Sequence, residues 1–140
     1  METLQSPREN AVLEVQGLVK HFAVRRGFFQ RPIGYIQAVD GVDLTLAPGT
    51  TLGLVGESGC GKSTVGRLIL KLLEPDAGRI LFRGAEISEY TQDEMKPLRR
   101  DMQIIFQDPF GSLNPRMTVS QTVEEGLFIT GMKRSQERKD

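Results

Sequence analysis

Residues 56 to 63 read Gly56-Glu57-Ser58-Gly59-Cys60-Gly61-Lys62-Ser63. This run matches every specified position of the pattern G-x-x-x-x-G-K-[ST], in which glycines let the backbone bend closely around an anion. An ordinary glycine-rich turn is the alternative, but a chance match is expected in roughly one chain of this length in a hundred. The run therefore predicts a phosphate-binding loop.

The sequence on either side of the loop is what such a loop requires. Thr51 to Val55 is β-rich and apolar on both faces, which predicts a strand buried inside a parallel sheet. From Lys62 onward apolar residues recur every three or four positions, which predicts an amphipathic helix ending near Glu74-Pro75. The order strand, loop, helix places the phosphate at a helix N-terminus, where the helix dipole attracts negative charge.

Each loop residue has a chemical reason to be there. The backbone N–H groups of the loop would surround phosphate oxygens, with Cys60 contributing its amide rather than its thiol. Lys62 supplies a positive charge for the β- and γ-phosphates, the Ser63 hydroxyl can ligate Mg²⁺, and Thr64 can donate near the α-phosphate. The predicted cofactor-binding residues of the loop are Gly56, Ser58, Gly59, Cys60, Gly61, Lys62, Ser63 and Thr64.

The rest of the chain alternates between strand-like and helix-like segments. Strands are predicted at Val12 to Val19, Val39 to Leu46, Arg79 to Phe82 and Met102 to Phe106. The stretch from Thr91 to Arg100 is polar and helical or irregular, and Val119 to Ile129 has helical spacing. The basic and aromatic segment Arg25 to Pro32 is punctuated by glycine and proline, which predicts an exposed loop.

Composition limits the classes of function. The 140 residues include 18 basic and 18 acidic side chains, so no overall field draws the chain to nucleic acid or an anionic membrane. Cys60 is the single cysteine, which excludes an internal disulfide and fits a reducing cytosol. No run approaches the length of a signal peptide's apolar core or a membrane span, so a membrane role would require a partner.

Two motifs in order resemble those of ABC transporter ATPase subunits. Residues 56 to 64 have a common form of that family's phosphate loop, and Gln103 to Pro109 looks like its Q-loop, which ends a core strand with a glutamine. Oligopeptide and dipeptide importers of this family have segments similar to four stretches of this chain, which are Phe110 to Arg116, Lys20 to Phe22, Ala38 to Val42 and the basic loop. The resemblance covers nearly the whole chain and weakens only at its two ends.

The resemblance implies an α/β fold, a three-layer P-loop NTPase with an antiparallel β-subdomain and its C-terminal part absent. Residues 1–140 would be the N-terminal part of a nucleotide-binding domain that uses ATP and Mg²⁺ to power peptide import. Phe22 would stack on adenine, although it could instead fill the core, and Gln107 would contact Mg²⁺ or its water and act in catalysis with Lys62.

The implied partners are two membrane permease subunits, a second ATPase subunit and, indirectly, an extracytoplasmic peptide-binding protein, with no nucleic acid. The location would be the cytoplasmic face of the membrane, peripheral through the permease.

Several family features are missing from these residues. The sequence contains neither a Leu-Ser-Gly-Gly-Gln signature nor the acidic strand end with its catalytic glutamate, and the one histidine, His21, precedes the loop and is expected at the surface. The alternatives are a fragment that binds ATP without turnover, an ABC subunit for another substrate, and a different P-loop enzyme. The absence of Asn-Lys-x-Asp argues against a GTPase. The presence of the segment Phe106 to Pro109 argues against a small-molecule kinase.

Overall fold

The computed structural model describes residues 11–26, 31–106 and 113–129. Within these ranges lie four strands and three helices, and none of the helices is long and apolar enough to cross a membrane. The chain divides into two compact units, Met1–Arg99 and Arg100–Asp140. The elements are β1 Leu13–Arg26, β2 Arg31–Leu46, α1 Lys62–Ile69, β3 Ala77–Phe82, β4 Ala85–Glu86, α2 Gln92–Leu98 and α3 Val119–Ile129.

The strands of the first unit form one antiparallel sheet in the order β2-β1-β3-β4. This confirms the predicted strands at residues 12–19, 39–46 and 79–82 and the antiparallel β-subdomain. The prediction of an exposed loop from Arg25 to Pro32 was wrong at its ends, because Arg25 pairs with Pro32 and Arg26 with Arg31. β2 is an edge strand, and an edge strand tolerates proline because its outer N–H groups need no partner.

The core of the first unit is built from the sheet, from α1, which lies between β2 and β3 in sequence, and from α2, which follows β4. Among the described residues nine apolar side chains are buried, from strands, helices and the segment after β4, and five of them are completely buried. Alternation along β3 buries Ile80 and Phe82, while α1 contributes Val65 and Leu68 at helical spacing. The buried set is Val15, Leu18, Val39, Val65, Leu68, Ile80, Phe82, Ile87 and Met95.

Helix α1 ends earlier than its apolar pattern predicts. It stops at Ile69 instead of near Glu74, because Lys71 adopts a left-handed backbone with φ of 53°. The Lys71 N–H donates to the Leu68 carbonyl at 2.9 Å and the Leu72 N–H to the Arg67 carbonyl at 2.8 Å, which is a Schellman motif. The buried Lys71 ammonium donates to the Glu74 carboxylate and the Ser88 carbonyl, so its charge is compensated.

Two apolar segments predicted as strands are not strands. Thr51 to Val55 and Met102 to Phe106 form no ladder in the residues described, and Val55 and Ile105 are 94% and 90% exposed. An apolar run indicates that a segment can be buried, but a strand also needs neighbours for its N–H and C=O groups. In the described ranges the antiparallel sheet pairs only with itself, so these segments lack such neighbours.

Candidate phosphate-binding site

The loop at residues 56–61 lies against the edge strand β2. Gly61 has φ of 94°, and a Cβ at this position would lie 2.1 Å from the carbonyl oxygen of Ala38 and 3.8 Å from Val39 Cγ2. No side chain can occupy that space, because real Cβ atoms do not approach backbone oxygen so closely. Gly61 therefore lets the loop backbone seat directly on β2, and Gly59, with φ of 85°, completes the turn before it.

Helix α1 starts from this seat with its amide groups open. Gly61 is the N-cap and provides no side-chain hydrogen bond, and the first helical bond runs from Val65 N–H to the Gly61 carbonyl at 2.9 Å. The N–H groups of Lys62, Ser63 and Thr64 therefore have no intrahelical acceptor. The first turn contains no acidic residue to offset the dipole. These amides and the dipole together favour an anion at this position.

The Lys62 ammonium is folded back over the loop. It donates to the carbonyl of Gly56 at 2.8 Å and that of Glu57 at 2.6 Å, and its Nζ lies 3.3 Å from the Cys60 sulfur. The Cys60 N–H donates to the Glu57 carbonyl at 3.3 Å, which closes the turn at the tip. The structure thus brings together Gly56, Cys60, Gly61 and Lys62 around one concave turn.

The remaining loop residues predicted to bind cofactor flank this turn. Ser58 and Ser63 are exposed, and Thr64 is partly buried. Ser63 and Thr64 directly follow Lys62 in the first turn of α1. Gln107, predicted to contact Mg²⁺, lies outside the described residues.

Phe22 lies in the β1–β2 hairpin, where it pairs with Ile36 of β2. Its side chain is 38% exposed, so the alternative that it fills the core was wrong. The Lys20 ammonium lies 5.8 Å from the centre of the Phe22 ring, a cation–π distance that steadies the ring. The hairpin that contains Phe22 is therefore also the one that the loop contacts, since Gly61 lies against Ala38 and Val39 of β2.

Asp76 ties the segment after α1 to β1 beside Phe22, which the sequence did not predict. Its carboxylate accepts from the His21 backbone N–H at 2.7 Å and from Lys20 Nζ at 2.8 Å. The hydrogen bond from the His21 N–H holds the pKa of Asp76 below its usual range, and the bond from Lys20 adds a smaller effect in the same direction. The same aspartate therefore fixes both the strand and the ammonium that lies over the Phe22 ring.

His21 is less exposed than the expectation of a surface residue. Its side chain is partly buried, and its Nε2 lies 3.6 Å from the carboxylate of Asp40. This pair belongs to the hairpin rather than to the phosphate-binding turn.

The sequence also did not reveal the Ala38 carbonyl that seats Gly61, because a backbone contact between distant segments leaves no residue pattern. Asp76 had a detectable signal, since an aspartate in a Pro-Asp-Ala-Gly turn before a strand is suited to accept backbone N–H bonds.

Residues 39–140 match the family described as ABC transporter. The oligopeptide transport ATP-binding protein AppF of Bacillus subtilis is 43% identical over 138 residues, which cover 98% of this chain and 42% of that protein. The glutathione import ATP-binding protein GsiA of Salmonella typhimurium is 48% identical over 121 residues, which cover 86% of this chain and 19% of that protein. The chain spans less than half the length of these relatives.

Solved structures agree with these sequence matches. The ATP-binding cassette MJ0796, in a dimeric post-hydrolysis state bound to ADP and Pi, superposes with a TM-score of 0.70 at 26% identity. The superposition covers 89% of this chain and 51% of that one, and therefore supports the P-loop NTPase fold although residues 51–55 form no strand here. With its glycine-seated loop, its open helix start and a family match over residues 39–140, this chain belongs to the ABC transporter family.

Proposed function

We propose that this chain forms the Mg-ATP-binding N-terminal part of an ATPase subunit that powers peptide import by an ABC transporter. The observation that carries the proposal is the seat of Gly61 on the Ala38 carbonyl, which leaves the amides at the start of α1 and the Lys62 ammonium around one turn. Free amides, a helix start and an ammonium around one turn favour a phosphate chain over an apolar ligand.

The phosphates would be held by backbone and by charge. The N–H groups of Gly56, Ser58, Gly59, Cys60 and Gly61 would line the phosphate oxygens, as would those of the first helical turn. The Lys62 ammonium now bonds neutral carbonyl oxygens, and an anionic phosphate oxygen is the stronger acceptor for it. Thr64 would donate near the α-phosphate.

Magnesium would be ligated by the Ser63 hydroxyl, which lies exposed in the first turn of α1. When bound, Mg²⁺ would offset negative charge on the phosphate oxygens. We assign Gln107 a place at this ion or its water and a role in coupling to the permease. Hydrolysis in the full-length protein would use Lys62 to stabilise charge on the γ-phosphate.

The substrate and partners follow from relatives and are proposals for this chain. AppF is named for oligopeptide transport, which supports a peptide as the transported substrate. Permease subunits, a second ATPase subunit and an extracytoplasmic peptide-binding protein would be the partners, and the subunit would sit peripherally on the cytoplasmic face of the membrane.

Glutathione is a second candidate substrate, because GsiA is named for glutathione import and is 48% identical over 121 residues. Uptake of labelled oligopeptide and of labelled glutathione by cells with and without the gene distinguishes the two substrates.

Replacement of Lys62 by alanine tests the phosphate site. Loss of its charge-assisted contacts should weaken Mg-ATP binding roughly 10- to 150-fold. Titration of the full-length polypeptide with a fluorescent ATP analogue measures the affinity, and circular dichroism checks the fold. Lys96→Ala is the matched control, since Lys96 is exposed and pairs only with Asp93 in α2. Equal affinity of the parent and Lys62→Ala would refute the proposal.

A further inference from the structure

Ile36 of β2 lies beside Phe22 on the face of the hairpin that contacts the phosphate-binding turn. The two residues are register partners in the antiparallel pair, so their side chains leave the same face with Cβ atoms about 5 Å apart. Ile36 is 59% exposed and lies directly beside an aromatic ring that is itself 38% exposed. The described structure gives this apolar pair no cover.

A bulge in β2 turns Ile36 toward the loop. Lys20 pairs with Val39 but His21 pairs with Gln37, so Ala38 is an extra residue on β2. Because of this extra residue, Val39 and Ile36 share a face although they are three positions apart. Val39 Cγ2 lies 3.8 Å from the position of a Cβ on Gly61, so this shared face is the one toward the phosphate-binding turn.

The spacing along β2 fits a nucleotide. Ile36 and Val39 pair with Phe22 and Lys20, which are two positions apart on β1, so Ile36 lies roughly 7 Å along the sheet from the contact at Gly61, at 3.3 Å per residue. That length is on the order of the ribose and α-phosphate that separate a purine from its outer phosphates. The Lys20 ammonium is tied to Asp76 and lies over the Phe22 ring, 5.8 Å from its centre, and the remaining surface of Phe22 forms an apolar platform together with Ile36.

We propose that Ile36 is a second base-binding residue, which with Phe22 forms a two-residue platform for the purine ring and its ribose edge. The inference rests on the proposed binding of Mg-ATP and extends it to a residue on the partner strand. Stacking on Phe22 would supply the aromatic contact, and the Ile36 side chain would cover the part of the base that extends beyond the ring.

The experiment compares Mg-ATP with magnesium tripolyphosphate, which has the phosphate chain without base or ribose. Isothermal titration is carried out on the full-length polypeptide with Ile36→Thr, a β-branched change that keeps the preference for a strand. We expect ATP affinity to fall roughly 3- to 10-fold while tripolyphosphate affinity stays unchanged. Ile33→Thr is the matched control, since Ile33 is similarly exposed but lies outside the Phe22–Ile36 pair, at the register shift between Val24 and Arg25, and both affinities should stay at the parent value.

The outcomes separate the platform from the phosphate site. Parental ATP affinity in Ile36→Thr would overturn the role of Ile36, as would an equal loss for both ligands or an equal loss in Ile33→Thr. Failure of the parent to bind tripolyphosphate would instead refute the proposed function. If Ile36→Thr does not fold, Ile36→Val removes a single methylene, and a base-dependent loss of about 2-fold is expected in its place, with parental affinity again overturning the role.

Discussion

The helices that the structure describes begin in two different ways. At α2, the Thr91 hydroxyl accepts from the Glu94 N–H at 3.3 Å and the Glu94 carboxylate accepts from the Thr91 N–H at 2.8 Å. At α3, Thr118 and Gln121 exchange the same pair of bonds, at 3.3 and 2.8 Å. Each of these helices satisfies part of its own N-terminus through a capping box.

Helix α1 begins without any such arrangement. Its N-cap is a glycine in the left-handed region, and the first turn of α1 supplies neither a side-chain acceptor nor an acidic group. A capping side chain occupies one of the free N–H groups at a helix start, whereas an uncapped start keeps all of them available to a ligand. Helix α1 therefore lacks a side-chain cap at the proposed phosphate site. The contact of Gly61 with β2 fixes this helix start in place of a cap.

Gly61→Ala should have the largest effect, because it removes that seat. The left-handed backbone alone costs alanine about 1–3 kcal/mol, and the new Cβ would also collide with the Ala38 carbonyl. We expect a lower free energy of unfolding by urea and a loss of Mg-ATP affinity of more than about tenfold.

Gly53→Ala is the matched control for Gly61→Ala, since Gly53 has open space around it and no left-handed backbone. It should leave both stability and affinity near the parent values. Parental stability and affinity in Gly61→Ala would show that the loop is not seated on β2.

Structural features that depend on local residue patterns could be predicted from the sequence. Predictions were wrong where contacts between distant segments determine the structure. The loop, the three sheet strands and helix α3 each rest on a residue pattern within a short window. The segments 51–55 and 102–106 have the same apolar character as a strand but no described neighbour to pair with. The end of α1 depends on the buried ammonium of Lys71, which stabilises a left-handed residue that is not glycine.

The capping boxes of α2 and α3 could have been predicted and were not. Thr91 and Glu94, like Thr118 and Gln121, have the spacing Thr-x-x-Glu or Thr-x-x-Gln that signals a helix start. In contrast, the contact between Gly61 and Ala38 joins residues far apart in sequence, and the residue types there do not indicate which strand the loop would meet.

Thr91→Ala should have an intermediate effect that is confined to stability. Loss of the N-cap hydroxyl leaves the Glu94 N–H without its acceptor, which typically costs about 1 kcal/mol. Chemical denaturation should show this loss, and Thr91→Ser should restore most of it because serine keeps the hydroxyl. Mg-ATP affinity should stay unchanged in both variants, since the cap serves α2 alone, and a matching fall in affinity would contradict the separation of the two kinds of helix start.

The smallest effect is a pH dependence that the cap of α2 has and the start of α1 lacks. Donation from the Thr91 backbone N–H, and then from its hydroxyl, lowers the pKa of Glu94 below the ordinary value of 4.5. A lowered folded-state pKa means that the unfolded chain binds the proton more tightly. The contribution of Glu94 to the free energy of unfolding is therefore complete above about pH 4.5 and declines as the pH falls through the folded-state pKa.

Glu94→Gln keeps an oxygen acceptor for the Thr91 N–H but cannot ionise, so this part of the acid dependence should disappear. Denaturation midpoints of the parent and Glu94→Gln, measured between pH 7 and pH 3, should therefore converge toward low pH. A constant difference between the two midpoints across that range would show that ionised Glu94 adds nothing to the cap.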